Sequence, residues 1–180
     1  MKKFILITGG ARSGKSHYAV ELAKKLTAPP STHRVVYIAT SCFHDEEMDK
    51  RIAAHKKSRP AEWQTVEEDK NIDTVIFNLK GLSEIVVIDC LTILTSNLML
   101  ELKDQEQVLK RAESMLRVIN DSDMTVIAVT NEVGSGIVPE TVLGRDFRDL
   151  SGKFNQMAAA AADEVYLMVT GIPLKIKGNH

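Results

Sequence analysis

Gly9-Gly10-Ala11-Arg12-Ser13-Gly14-Lys15-Ser16 has the spacing of a phosphate cradle, G-x-x-x-x-G-K-[ST]. Its glycines let the backbone curl until successive N–H groups converge on an anion. Lys15 then reaches the β- and γ-phosphates of a nucleoside triphosphate, and the Ser16 hydroxyl completes a Mg²⁺ shell. Asp89 closes the apolar run Glu84-Ile85-Val86-Val87-Ile88-Asp89. A carboxylate at the end of such a strand sits beside a triphosphate and its metal; the competing role, capping the next helix, is outweighed by the loop upstream. His55 is the third group of interest. On a helix it shares a face with Met48 and Ile52. A neutral imidazole nitrogen can attack the α-phosphorus of a triphosphate, forming a phosphoramidate and expelling pyrophosphate. Lys56 and Arg59 could hold the phosphates meanwhile. Periodicity taken alone favours a half-buried structural histidine, and both readings stand at this point.

The elements that must position these groups alternate between strand and helix. Phe4–Thr8 reads as a buried strand and His17–Leu26 as a helix with Tyr18, Ala19, Leu22, Ala23 and Leu26 on one side. Thr27–Thr32, with Pro29-Pro30, is a loop, and Val35–Thr40 is the second strand. A helix from Asp45 to about Lys57 stops at Ser58-Arg59-Pro60. Residues 61–70 read as irregular and Asn71–Leu79 as a helix. The Glu84–Asp89 strand is followed by helices Leu91–Glu101 and Asp104–Asn120, the latter with an apolar stripe Val108, Leu109, Ala112, Met115, Leu116 and Ile119. Met124–Thr130 is a fourth strand, ending in the loop Asn131–Pro139. Arg145–Ala162 is a long helix, and Glu164–Thr170 and Leu174–Lys177 flank Gly171-Ile172-Pro173 as an antiparallel pair. The pattern predicts one α/β domain over 1–180: a mostly parallel sheet with helices on both faces and a C-terminal antiparallel strand pair. Ligands in such folds sit at the carboxyl ends of the strands, where Gly9, Thr40, Asp89 and Asn131 fall.

A chain of 180 residues with a net charge of -1 suits one core and argues against coating nucleic acid or anionic lipid. The apolar run after Met1-Lys2-Lys3 stops at Gly9-Gly10, too short for a secretion signal. No stretch approaches the roughly twenty apolar residues of a membrane span. Cys42 and Cys90 lack metal-ligand or redox spacing. The expected setting is cytoplasmic.

Taken together, TGGARSGKS (8–16), YIATS (37–41), DEEMDKRI..HKKSRP (45–60), TNEVGSGIVPE (130–140), FRDLSGKFNQ (147–156) and AAADEVYLMVTGIPLKIK (160–177) carry a specific likeness. The chain resembles the bifunctional adenosylcobinamide kinase / adenosylcobinamide-phosphate guanylyltransferase family, which assembles the nucleotide loop of coenzyme B12. The resemblance implies a P-loop NTPase fold like the recombination ATPase core (RecA-like), a homotrimer and two reactions. One phosphorylates the adenosylcobinamide hydroxyl with ATP or GTP. The other transfers GMP from GTP to that phosphate through a guanylylated histidine.

By position, the resemblance matches His55 to the histidine that takes GMP. It matches Ile38, Ala39 and Thr40 to a segment lining the nucleotide site, and Lys56, Lys57, Ser58, Arg59, Glu67 and Asp89 to further nucleotide contacts. Ala54 stands where some relatives carry a second histidine, which leaves one candidate nucleophile. Asp89 replaces the Glu of some relatives, and either carboxylate can hold Mg²⁺. For the kinase step Lys15 stabilises charge, Ser16 and Asp89 take the metal, and Asp89 or Glu67 orients the hydroxyl. Glu132 is a further candidate near the strand ends, against the plainer reading of an ordinary loop carboxylate, and Arg145 and Arg148 are either phosphate contacts across a subunit interface or surface ion pairs. Two alternatives stay open: a plain small-molecule kinase with a structural His55, and a nucleotide-regulated switch or motor.

Overall fold

Each apolar run forms a strand because its alternate side chains find a hydrophobic layer on either side. In β1 (Phe4–Gly9), Phe4 and Leu6 enter one layer while Ile5 and Ile7 enter the other. β2 (Val35–Ala39) divides Val36 and Ile38 from Val35 and Tyr37 in the same way. The structure, a computed structural model, describes residues 2–27, 34–41 and 59–178. The expected helix from Asp45 to Lys57 lies outside them, and with it His55, Lys56 and Lys57; Ser58 and Cys42 lie outside as well.

The remaining elements are α1 (Lys15–Leu26), β3 (Gln64–Glu67), α2 (Ile72–Asn78), β4 (Ile85–Asp89), α3 (Leu91–Leu102), α4 (Gln105–Asn120), β5 (Thr125–Val129), α5 (Val142–Ala161), β6 (Glu164–Val169) and β7 (Ile172–Lys177). They make one seven-stranded sheet in the order β3-β2-β4-β5-β1-β6-β7. All neighbours pair in parallel except β6 and β7. Among the described residues α2 to α5 cover one face and α1 the other. The stripe expected on α4 is the buried one, with Val108, Ala112, Met115, Leu116 and Ile119 in the core and Leu109 packed partly against it. Each fully buried side chain of this kind contributes about 1.5–3 kcal/mol of transfer free energy.

Several boundaries and one assignment differ from the sequence reading. Residues 61–70 are not wholly irregular: Gln64–Glu67 is β3, an edge strand paired with β2. Only Val66 of its four residues is even half-buried, so no apolar alternation announces it. Its hydrogen bonds to β2 make it a strand. The weakly patterned segment 71–79 is a helix, with Ile72 and Ile76 buried four apart. α1 opens at Lys15 and α5 at Val142, earlier than expected. α5 gains its first turn from Thr141, whose side chain accepts a hydrogen bond from the Gly144 amide. β7 begins at Ile172 rather than Leu174, since Pro173 is tolerated on an edge strand.

Candidate functional site

The strand ends assemble the site. β1 runs straight into the glycine-rich loop, and Gly14, at φ 94°, is the residue from which α1 starts. No side chain caps that helix, so its first amides are left to an anion. Lys15 is buried, with its ammonium donating to the Gly10 carbonyl and, at 3.3 Å, to Ser13 Oγ. Burial pushes the Lys15 pKa below its ordinary 10.5, while the nearby Cys90, Asp89 and Glu132 pull the other way. The loop thus wraps its own cation, and an incoming phosphate would exchange those protein oxygens for its own.

The C-terminal hairpin braces the loop from below. Thr170 and Gly171 form its two-residue turn, both with positive φ. The Gly171 amide donates to the Ser13 carbonyl at 3.0 Å. Gly9 has φ 148°, and a Cβ there would lie 2.6 Å from the Met168 carbonyl oxygen of β6. Backbone cannot rotate away from that clash. Gly9→Ala is therefore expected to distort the loop at a cost of about 1–3 kcal/mol, read as weakened nucleotide binding by calorimetry alongside a lowered Tm.

Asp89 ends β4, one strand removed from β1, because β5 lies between them. Tyr37 is buried in β2 and its hydroxyl donates to Asp89 Oδ2. Burial, reinforced by the Asp89 charge, holds the Tyr37 phenol protonated, so it remains a donor. The Arg59 guanidinium stacks 3.3 Å from the centroid of the same ring. Thr40 locks the turn after Asp89: its amide donates to the Asp89 carbonyl, and its hydroxyl donates to the Cys90 carbonyl and accepts from the Cys90 amide. Cys90 is buried and unpaired, and its thiol is pushed up to about 12, first by burial and then by Asp89. It is an inert neighbour.

Beyond β5, Glu132 Oε1 accepts from Thr8 Oγ1 at 2.8 Å and from Asn155 Nδ2 at 3.2 Å. The Glu132 amide donates to the Gly9 carbonyl at 3.0 Å. This loop is therefore stitched to the root of the phosphate loop.

The structure thus brings Gly9, Gly10, Ala11, Arg12, Ser13, Gly14, Lys15 and Ser16 into one turn, with Asp89 and Glu132 close enough for their charges to act on Lys15, while Arg59 lies over Tyr37 of β2 beside Thr65 of β3. Ile38 buries its side chain wholly in the core, which leaves only its backbone to any ligand. Ala39 is half-buried at the strand-end edge, whereas Thr40 is fully buried with its hydroxyl committed to the Cys90 backbone. Glu67 ends β3, four strand spacings from β1, or about 19 Å at about 4.8 Å each. That is too far for it to act at a γ-phosphate seated over Lys15. Arg145 and Arg148 have local partners: Arg145 donates to the Pro139 and Glu140 carbonyls, and Arg148 pairs with Asp149. Sequence reasoning missed Tyr37 and Asn155. Asn155 was visible as one of two polar residues, with Ser151, in the buried stripe Leu150, Ser151, Phe154, Asn155, Ala158, a signal of a hydrogen-bonding task.

Two solved ATPases share the fold. One, a solved ATPase domain, has a TM-score of 0.51 at 16% identity, over 92% of this chain and 69% of that one. The other, a type III secretion system ATPase from pathogenic bacteria, has a TM-score of 0.59 at 10% identity, over 94% of this chain and 51% of that one. Likeness in sequence is far closer. The bifunctional adenosylcobalamin biosynthesis proteins CobU of Escherichia coli (strain K12) and Salmonella typhimurium are 42% and 44% identical, each over 96% of this chain and 99% of the relative. CobP of Pseudomonas aeruginosa is 36% identical over 97% of both. The family model for cobinamide kinase / cobinamide phosphate guanyltransferase matches residues 5–176. With a phosphate loop, a strand-end carboxylate and near full-length likeness in hand, the chain belongs to the cobinamide kinase / cobinamide phosphate guanyltransferase family.

Proposed function

We propose that this chain is a bifunctional cytoplasmic transferase that phosphorylates the adenosylcobinamide hydroxyl with ATP or GTP. It then transfers GMP from GTP to that phosphate, releasing pyrophosphate, by way of a guanylylated His55. The observation that carries the reading is the buried Lys15 inside an uncapped loop-to-helix turn, together with family membership. Lys56, Lys57, Ser58 and Arg59 follow His55 directly in sequence. Arg59 stacked on Tyr37 anchors the end of that stretch beside Asp89.

Mg²⁺ fits the residues present. Ser16 and Asp89 offer hard oxygen donors, and among the described residues no cluster of three or more His, Cys, Asp or Glu side chains forms a cage. Two protein oxygens plus phosphates and water suit Mg²⁺ delivered with its nucleotide. When bound, the ion would neutralise charge on the transferring phosphate. Tyr37 then holds the Asp89 carboxylate for it. Tyr37→Phe keeps the ring and loses that bond, and it is expected to weaken Mg²⁺-dependent nucleotide binding by about tenfold, measured by titrating Mg²⁺ against a fluorescent nucleotide.

The family resemblance further implies a homotrimer. Ile172, Leu174 and Ile176 are exposed in alternation along the edge strand β7. Such a row is apolar surface that an assembly would cover. Light scattering coupled to size exclusion reads the mass directly.

The deciding experiment is incubation of the protein with Mg²⁺ and GTP labelled at the α-phosphate. An acid-labile, base-stable label on the protein that passes to adenosylcobinamide phosphate supports the reading. Protein that stays unlabelled while still phosphorylating adenosylcobinamide reduces it to a plain kinase.

A further inference from the structure

The kinase step of the proposed function needs a group to orient the acceptor hydroxyl and take its proton, and the geometry points to Glu132, with Asn155 as its positioning residue. This rests on that reading for the identity of the acceptor, an alcohol on a large amphipathic molecule. The assignment of the carboxylate itself rests on the strand ends.

Glu132 follows β5, the strand lying between the phosphate-loop strand β1 and the Asp89 strand β4. It is exposed yet held, since its amide donates to the Gly9 carbonyl and its Oε1 takes both Thr8 Oγ1 and Asn155 Nδ2. Both donors reach the same oxygen. Among the described residues Oε2 is left as the open acceptor, beside a loop whose lysine feels the Glu132 charge.

The hydrogen bonds behind Asn155 have only one consistent direction. The Asn131 amide donates to Thr92 Oγ1 at 2.7 Å. Thr130 Oγ1 donates to Asn155 Oδ1 at 2.6 Å, so its contact with Thr92 Oγ1 at 3.1 Å has Thr92 as donor. Asn155 must then turn its amide nitrogen to the Asn131 carbonyl, at 3.0 Å, and to Glu132 Oε1. Thr92, Thr130 and Asn155 are all buried, so a flipped amide would oppose two acceptors to each other without water to relieve them. The amide therefore always presents a donor to Glu132, and Oε2 keeps one orientation.

The other carboxylates are less suited. Asp89 is engaged by Tyr37 and reserved for the metal, and Glu67 lies on the outermost strand. At Glu132 the step balances simply. The acceptor oxygen bonds to the γ-phosphorus as the bond from that phosphorus to the β–γ bridging oxygen breaks. The electron pair of that bond leaves on the nucleoside diphosphate, and the hydroxyl proton passes to Glu132 Oε2.

Glu132→Gln retains an oxygen for Thr8 and Asn155 but cannot take a proton. It is expected to lower kcat for phosphorylation of the acceptor by about 10²–10⁴-fold, while the Kd for a non-hydrolysable triphosphate stays within about threefold. Asn155→Ala should lower kcat by about tenfold alone, and by far less when added to Glu132→Gln, because a positioning residue has nothing left to position. Additive losses would make Asn155 merely structural. A Glu132→Gln enzyme within about threefold of the parent kcat, or one whose Kd falls as far as its rate, overturns the assignment. If the parent phosphorylates no cobinamide-class alcohol, the proposed function fails instead. Glu132 is then read from nucleotide hydrolysis with water as the acceptor, where the same loss is expected and an unchanged rate overturns it.

Discussion

Lys15→Ala is expected to lower kcat of both phosphoryl and guanylyl transfer by on the order of 10²–10³-fold, and to weaken triphosphate binding as well. The ammonium is buried at the centre of the loop and its contacts in the free protein are to the loop itself, the Gly10 carbonyl and Ser13 Oγ. A triphosphate replaces neutral oxygens by charged ones at that point, where little water screens the interaction. If one cradle serves both reactions, both fall together; a variant that loses only one would show that the two transfers use different phosphate sites. The pH dependence follows from the same group. Burial sets the Lys15 pKa below 10.5 in the free protein, and a bound polyanion favours the charged amine, so the pKa rises in the complex. Affinity is therefore full below the free-state pKa and falls as pH climbs through it, beginning short of the ordinary lysine value of 10.5. Kd measured against pH should show that alkaline limb in the parent, and Lys15→Ala should lack it.

His55→Ala is expected to abolish covalent labelling by α-labelled GTP while leaving triphosphate binding and, within about tenfold, phosphorylation of adenosylcobinamide. The reason is a division of labour. On the proposed reading, γ-phosphoryl transfer draws on the phosphate loop, Asp89 and Glu132, which lie at the ends of β1, β4 and β5. Attack at the α-phosphorus needs a nucleophile, and the titratable groups whose charge acts on Lys15, Asp89, Cys90 and Glu132, include no imidazole. Cys90, pushed up to about 12, stays a thiol at neutral pH and is a poor substitute. Quantifying label per mole of protein, with mass spectrometry of the digest, places the adduct. Label that survives His55→Ala sinks the covalent assignment.

These predictions separate two kinds of information in the chain. The phosphate loop, the major strands, the α4 stripe and the final hairpin were legible from residue order alone. Each is a local matter in which neighbouring residues set backbone conformation or periodic burial, as with Gly14 at positive φ or Val108, Ala112 and Met115 on one helix face. Bounds moved at Lys15, where α1 starts from Gly14 at positive φ with no side-chain cap, at the Thr141 cap and at the edge Pro173. β3 was not legible, because Gln64-Thr65-Val66-Glu67 has no apolar period and is a strand by its pairing with β2.

The sequence by itself determined that a triphosphate is held, where the loop and its carboxylate fall along the chain, and, through resemblance, which histidine to suspect. Only the tertiary structure decided which carboxylates stand near that loop. Insertion of β5 between β1 and β4 brings Glu132 to Thr8 across 124 residues, while β3 at the edge carries Glu67 away. Strand order is set by which distant strands hydrogen-bond and by the crossovers between them, and the apolar period of an element does not say which neighbour it takes. For the same reason Asn155 reads in sequence as a polar residue in a mostly apolar stripe, and in the fold as a donor to Glu132 Oε1.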